Sequence, residues 1–367
     1  MMEQRLAALR RRFRTLGVAN FVVTKLSNIR YLCEFTGSNG LLLVTGKDAY
    51  FVTDGRYTNQ ARQQVSGAQV FIYTPAASNA ESFTREMKVN REINFRGRIG
   101  IEATVMAVDL YQALRRTFPS SQLVETDNVV DDLAMVKDDG EIALIRKAVN
   151  ITDKVFESVL GDIKPGISEK DIAAEITYRQ QKLGAEKDGF DAIVASGPRS
   201  ALPHGIASNR KIKKGDFVTL DFGCVYEGYP SDMTRTVVVG KASAEQKKIY
   251  SIVKEAQARG VEAVKSGIRC ADVDAAARDV INRTGYGPQF SHGTGHGLGL
   301  WDRVKEVHAR PVLSPLSKDR LKTGMVVTIE PGIYVEGFGG VRIEDDVVVR
   351  DGGCEVLTKS SKELLEL

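Results

Sequence analysis

Apolar positions in the first third of the chain keep two periods in alternation. Leu6, Leu9, Phe13 and Leu16 recur every three or four residues, which predicts an amphipathic helix ending near residue 16. Short β-branched and aromatic runs at 21–24, 41–44, 50–53 and 70–73, with a brief one near 99–101, predict strands. A helix over 56–65 falls among them, so residues 1–127 read as an α/β layer domain. Asp54 stands just before that helix and is expected to cap it. Residues 127–132 (DNVVDD) read as a linker, and a long helix from about residue 140 to 160 opens a second domain, 133–367.

The second domain repeats itself. Residues 215–223 read GDFVTLDFG and residues 324–332 read GMVVTIEPG; aligned without gaps they set Asp221 opposite Glu330, 330 − 221 = 109 residues apart. Each is a β-branched run bounded by glycines, the mark of a buried strand. An acid at the inner end of such a strand is costly unless its charge is compensated. Upstream, KPGI at 164–167 matches KSGI at 265–268, and DIAA at 171–174 matches DVDA at 272–275, both at an offset of 101. Helical periodicity precedes each turn, at 151–160 and 249–264. Helix, turn, helix, histidine-bearing loop and acidic strand thus occur twice, which is duplication rather than coincidence.

At 367 residues the chain can bury two full cores. The formal net charge of +4 is small, and the cluster Arg10–Arg14 falls on the polar face of the first helix, which speaks against a nucleic-acid surface. No apolar run reaches membrane-spanning length and the first residues lack the apolar core of a secretory signal, so a cytoplasmic protein with no membrane partner is expected. Cys33, Cys224, Cys270 and Cys354 show no CxxC spacing, so neither a disulfide framework nor a thiolate metal site is expected. All four histidines, His204, His292, His296 and His308, fall in the duplicated half.

The acidic strands continue into hairpins. In LDFGCVYEGYPSDMTRTVVV a turn at Glu227-Gly228 makes opposed residue numbers sum to 455, so Asp221 faces Thr234 and Asp232 shares its face. The second hairpin carries Glu330 on TIEPG and Glu344 on VRIEDDVVV, and Pro331 constrains the exit from Glu330. Carboxylates sharing a pocket repel by ~4 kcal/mol per pair at about 4 Å and an effective dielectric of about 20, so they must take up protons or bind cations. Two divalent ions would balance Asp221, Asp232, Glu330 and Glu344, with His296 in the loop HGTGHGLGL adding one neutral nitrogen. Oxygen ligands with a single imidazole suit Mn²⁺ first, with Co²⁺ or Zn²⁺ as alternatives.

Together LPHGIAS, LDFG…SDMTRT, HGTGHGLGL, TIEPGIY and VRIED resemble the pita-bread metallopeptidases, in their Xaa-Pro aminopeptidase and prolidase branch. FTGS at 35–38 and TDGRY at 53–57 extend the resemblance into the first domain. It implies a creatinase-like α/β domain followed by an α+β pita-bread domain with an internal pseudo-twofold duplication. It implies as metal ligands Asp221, Asp232, His296, Glu330 and Glu344, with Glu330 also the general base. His204 and His308 would position substrate or stabilise the oxyanion, His292 would face the proline side, and Arg342 would orient the ligands. A homodimer is implied as well.

Family members usually run HGxGLEVHE where this chain reads HGLGLWDRVKEVHARP. Trp301–Lys305 is thus an insertion, expected as a solvent-exposed loop extension rather than a lid, and Ala309 stands where Glu is usual. Peptides with proline in second position are the expected substrates. No cation is evidently committed to a dipeptide's carboxylate, Arg303 in the insertion being the one candidate, so Xaa-Pro aminopeptidase is favoured over prolidase. A methionine aminopeptidase would carry Gln-x-Glu where Arg342-Ile-Glu344 stands, and a non-catalytic pita-bread binding protein would have lost ligands.

Overall fold

A computed structural model describes residues 2–90, 97–118, 122–302 and 306–367. The chain divides into two compact units, Met1–Ala134 and Met135–Leu367.

In the first unit a six-stranded sheet runs in the order 69–72, 49–53, 41–45, 20–23, 99–102, 123–126. Its centre is antiparallel and its outer pairs are parallel. The strand expectations hold with shifts of a residue or so at their ends. The expected helix over 56–65 becomes a single 3₁₀ turn, Gly55–Tyr57, followed by the helix Thr58–Gln64. Asp54 caps that turn, accepting from the Arg56 backbone and Nε at 2.9 Å each. Residues 127–132 are not an open linker. The helix Val129–Ala134 covers most of them, and Asp131 accepts from Lys25 (2.5 Å) and Asn28 (3.0 Å), tying it to the first unit.

The second unit is built twice over. Helices Asp139–Val159 and Glu169–Lys182 precede the antiparallel strands Ile193–Ser196, Phe217–Phe222 and Met233–Val238. Helices Ala244–Ala263 and Cys270–Arg283 precede Gly295–Asp302, Val326–Ile329 and Asp345–Val349, whose sheet is widened by Glu306–Leu313 and Cys354–Val356. Three of the four helices open with a reciprocal capping box, at Asp138/Glu141, Ser168/Asp171 and Ser243/Gln246. The repeated turn glycines Gly166 and Gly267 both adopt positive φ, 93° and 86°, which explains the repeated KxGI. The duplication seen in the sequence is therefore a duplication of the fold.

Each half interrupts its hairpin beside an acid. In the first, Asp221 pairs with Thr234 as expected, and the turn residues Glu227 and Gly228 both take positive φ, as a tight two-residue hairpin turn requires. The ladder breaks at Gly223 and Ser231-Asp232 before resuming at Val225↔Pro230 in the same register. In the second, pairing stops after Ile329↔Asp345 and resumes at Gly332↔Arg342, leaving Glu330 and Glu344 at the corner between. Arg235, only 1% exposed, joins the halves. Its guanidinium donates to the carbonyls of Thr234 and Glu344, to Asp345 Oδ1 (2.7 Å) and to the Ser360 carbonyl (2.8 Å).

The break at Gly223 admits no side chain, since a Cβ there would lie 1.8 Å from the Ser231 carbonyl oxygen. Gly223→Ala is expected to cost about 1–3 kcal/mol by overpacking, read as a lower denaturation midpoint. An unchanged midpoint would contradict the close approach.

Candidate metal centre

The two interrupted hairpins deliver their acids to one cleft of about 630 Å³. Asp221, Asp232, His296, Glu330, Glu344, His204, His292, His308 and Arg342 all line it, so every site residue expected from the sequence is brought together. Ligand atoms of Asp232, His296 and Glu344 lie within 4.8 Å of one another. His296 Nε2 stands 3.5 Å from Asp232 Oδ2 and 3.6 Å from Glu330 Oε1. Its Nδ1 faces the Gly297 carbonyl at 3.0 Å, which assigns the proton to Nδ1 and turns a lone pair towards the acids.

One buried cation faces four carboxyls. Arg342, 3% exposed, donates Nη2 to Asp221, Nε to Thr234 Oγ1 (2.9 Å) and Nη1 to Tyr334 (2.8 Å) and the Pro203 carbonyl (3.2 Å). Burial by itself would lower the guanidinium, but Tyr334, Asp221, Glu330 and Glu344 outweigh it and raise it overall. The acids respond the other way. Burial, with Asp221 adding repulsion, raises Asp232 well above the carboxylate range, and burial with Asp232, Glu330 and Asp221 raises Glu344 likewise. Glu330 is pushed up to about 7, chiefly by burial, with His296 and Arg342 pulling against it.

A cation fits this donor set. Asp221 Oδ1 is buried with no hydrogen-bond partner, an arrangement costing about 1–3 kcal/mol or more for a charged group unless something compensates it. Three further carboxyls and an imidazole lone pair converge on the same space, and oxygen donors with one nitrogen suit a divalent ion.

The histidines divide into two kinds. His204 and His308 are exposed to the cleft, and the His308 ring lies 4.1 Å from that of His296. His292 is half-buried and committed on both nitrogens, to the Gly293 carbonyl and to the Tyr334 hydroxyl, each at 2.8 Å. Burial, with Arg342 nearby, drives it down to about 4, so it is neutral and receives the Tyr334 proton. What His292 offers a ligand is therefore an apolar ring surface, not a hydrogen bond.

Four supporting residues escaped the sequence reading. Tyr334, pushed up to about 12 by burial, bridges Arg342 and His292. Thr234 donates to Glu344 Oε2 at 2.6 Å, and Thr328 donates to Glu330 Oε1 at 3.3 Å while accepting from the His296 backbone. Asp346 Oδ2 holds the Asp232 amide at 3.0 Å. Tyr334 closes the TIEPGIY motif and Thr234 was already paired with Asp221, so their positions were legible but not their partners. The insertion also differs from expectation. Trp301 and Asp302 end the strand Gly295–Asp302, and Asp302 pairs with Glu306, where a solvent-exposed loop extension was expected. Arg303 and the rest of 303–305 lie outside the described residues.

Doubled helix–strand halves around an acid-lined cleft define a pita-bread hydrolase with a candidate metal centre. Residues 143–351 match metallopeptidase family M24, and residues 5–136 match the creatinase/prolidase N-terminal domain; the chain belongs to family M24. The chain is 44% identical over 267 residues to the Xaa-Pro dipeptidase of Pyrococcus furiosus, covering 73% of this chain and 75% of that one. Its structure superposes on an Xaa-Pro dipeptidase from Bacillus anthracis with TM-score 0.93 and 42% identity, covering 100% of both chains. An X-Pro aminopeptidase from Thermotoga maritima gives TM-score 0.86 and 36% identity, over 97% of this chain and 100% of that one.

Because Glu330 holds its proton up to about pH 7 without a cation, and Asp232 and Glu344 are raised too, cation binding must expel protons. Affinity should therefore fall as pH drops below 7. Calorimetric titration with Mn²⁺ in two buffers of different ionisation enthalpy is expected to give different heats; identical heats would rule out proton release.

Proposed function

We propose that this M24 peptidase hydrolyses the bond before proline, with Xaa-Pro dipeptides as its preferred substrates. Asp221, Asp232, His296, Glu330 and Glu344 would hold two divalent ions, Mn²⁺ in use. Bound there, such ions supply Lewis-acid stabilisation of developing charge and a nucleophile at neutral pH. Glu330, freed of its proton when the ions are bound, would serve as the general base that takes up and returns the proton. His204 and His308, both facing the cleft, donate to the carbonyl oxygen as charge develops on it. The ring of His292, with no nitrogen to spare, packs against proline, whose tertiary amide has no N–H to satisfy.

The observation that carries the dipeptide preference is Arg310. It lines the cleft two residues beyond His308, and Asp319 steers its Nη2 at 3.0 Å. A guanidinium suits a terminal carboxylate, and in this reading Arg310 takes the role for which the sequence offered Arg303. The names of the dipeptidase relatives support the same choice over the aminopeptidase reading favoured from the sequence.

Three outcomes are expected. Asp232→Asn should abolish turnover and lower bound metal per chain, measured by elemental analysis; full metal content would defeat the ligand assignment. Wild-type protein should cleave Ala-Pro faster than Ala-Pro-Ala, and Arg310→Ala should raise KM for the dipeptide roughly tenfold or more, the loss of one charge-assisted pair. Equal KM values would remove Arg310 from carboxylate recognition, and a preference for the tripeptide would restore the aminopeptidase reading.

A further inference from the structure

The inserted Trp301 is built into the cleft wall without lining the cleft. Its indole Nε1 donates to the Gly189 carbonyl at 2.7 Å, and its backbone N–H donates to the Gly228 carbonyl at 2.9 Å. Lys187 Nζ sits 3.9 Å from the centroid of the indole ring, within cation–π range. The same short segment is gripped twice more. The Gly189 amide donates to the Gly223 carbonyl at 2.9 Å, and a Cβ on Gly189 would lie 3.0 Å from Val307 Cγ1, so the hairpin packs directly on that backbone.

The residues that follow Gly189 face the reaction space. Phe190, Asp191 and Ile193 all line the cleft, and Ile193 pairs in the sheet with Asp221. Glu306, at the other end of the insertion, lines the cleft as well. This wall carries none of the His292–Tyr334–Arg342 chain to which the proline side was assigned above. A substrate with its proline against His292 presents the preceding residue to the wall that Trp301 braces.

We infer that Trp301 is a positioning residue for the subsite of the residue before proline. It acts by bracing the 187–193 segment through the Gly189 carbonyl and the Lys187 ammonium. Selectivity among Xaa-Pro dipeptides then depends on a side chain that the substrate does not touch. The inference rests on the Xaa-Pro reading of the site for its substrate, but not for the brace itself.

The test uses full-length protein loaded with Mn²⁺ and compares wild type with Trp301→Phe, Trp301→Ala and Lys187→Met. Trp301→Phe keeps an aromatic ring for Lys187 while removing the N–H and part of the ring system, so it is the milder change and guards against misfolding. Kinetics on Gly-Pro, Ala-Pro, Leu-Pro and Phe-Pro should show KM for the two large substrates rising roughly tenfold in Trp301→Ala, the scale of a reshaped apolar pocket. For Gly-Pro both kcat and KM should stay within about twofold, with metal content unchanged; Trp301→Phe and Lys187→Met should fall between. A uniform loss across the four substrates, or no loss in any, overturns the assignment. Amide exchange over 187–193 separates this from failure of the functional reading. Faster exchange there in Trp301→Phe supports the brace even if no Xaa-Pro peptide is cleaved, and unchanged exchange refutes it whatever the substrate.

Discussion

Everything in the second unit answers to one electrostatic problem: four carboxyl groups and one guanidinium in a single buried pocket. Like charges at such spacing cannot all stay ionised away from water. The chain meets this locally. Arg342 neutralises Asp221 directly, Thr234 and Thr328 donate to Glu344 and Glu330, and burial raises Asp232, Glu330 and Glu344 so that a cation displaces protons on binding. The pocket is thus arranged for an ion, and its polar atoms remain imperfectly satisfied without one.

Duplication supplies the geometry. An acid can sit at the bottom of a cleft between two sheets only if each strand stops pairing there, because a continuous ladder would carry the chain past the site. Both hairpins break beside their acids and resume pairing in unchanged register. The register matters because a one-residue slip would turn every acid to the opposite face. Arg235 holds the two breaks in mutual position by bonding the Thr234 and Glu344 carbonyls at once. A buried arginine with this many acceptors is expensive to desolvate and well compensated here.

The cleft has unlike sides, and the difference follows from what supports them. One is a chain of hydrogen bonds from Arg342 through Tyr334 to His292, whose ring is kept neutral by burial and the nearby Arg342 charge. The other is a short segment held against the hairpin by Trp301 and Val307. An apolar face of this kind would suit the proline ring of the proposed substrate. A wall braced from outside can be retuned without disturbing the clustered acids.

The sequence alone determined the duplication, the strand register of the first hairpin and the identities of the clustered acids and histidines. These are legible because period-2 strands, positive-φ turn residues and repeated motifs leave local traces. The helices at 26–33, 79–89 and 108–117 were not read, although Ile29/Leu32, Phe83/Met87 and Leu110/Leu114 recur at helical spacing, because the segments are short and lie among strand-like runs. Only the tertiary structure decided which groups touch. Arg342 meets Asp221 across 121 residues, Thr234 meets Glu344 across 110, and Trp301 meets Gly189 across 112. No local pattern encodes such contacts, because they arise from the packing of one half against the other. For the same reason Trp301, expected in a solvent-exposed loop extension, lies at a strand end with its indole on the distant Gly189 carbonyl.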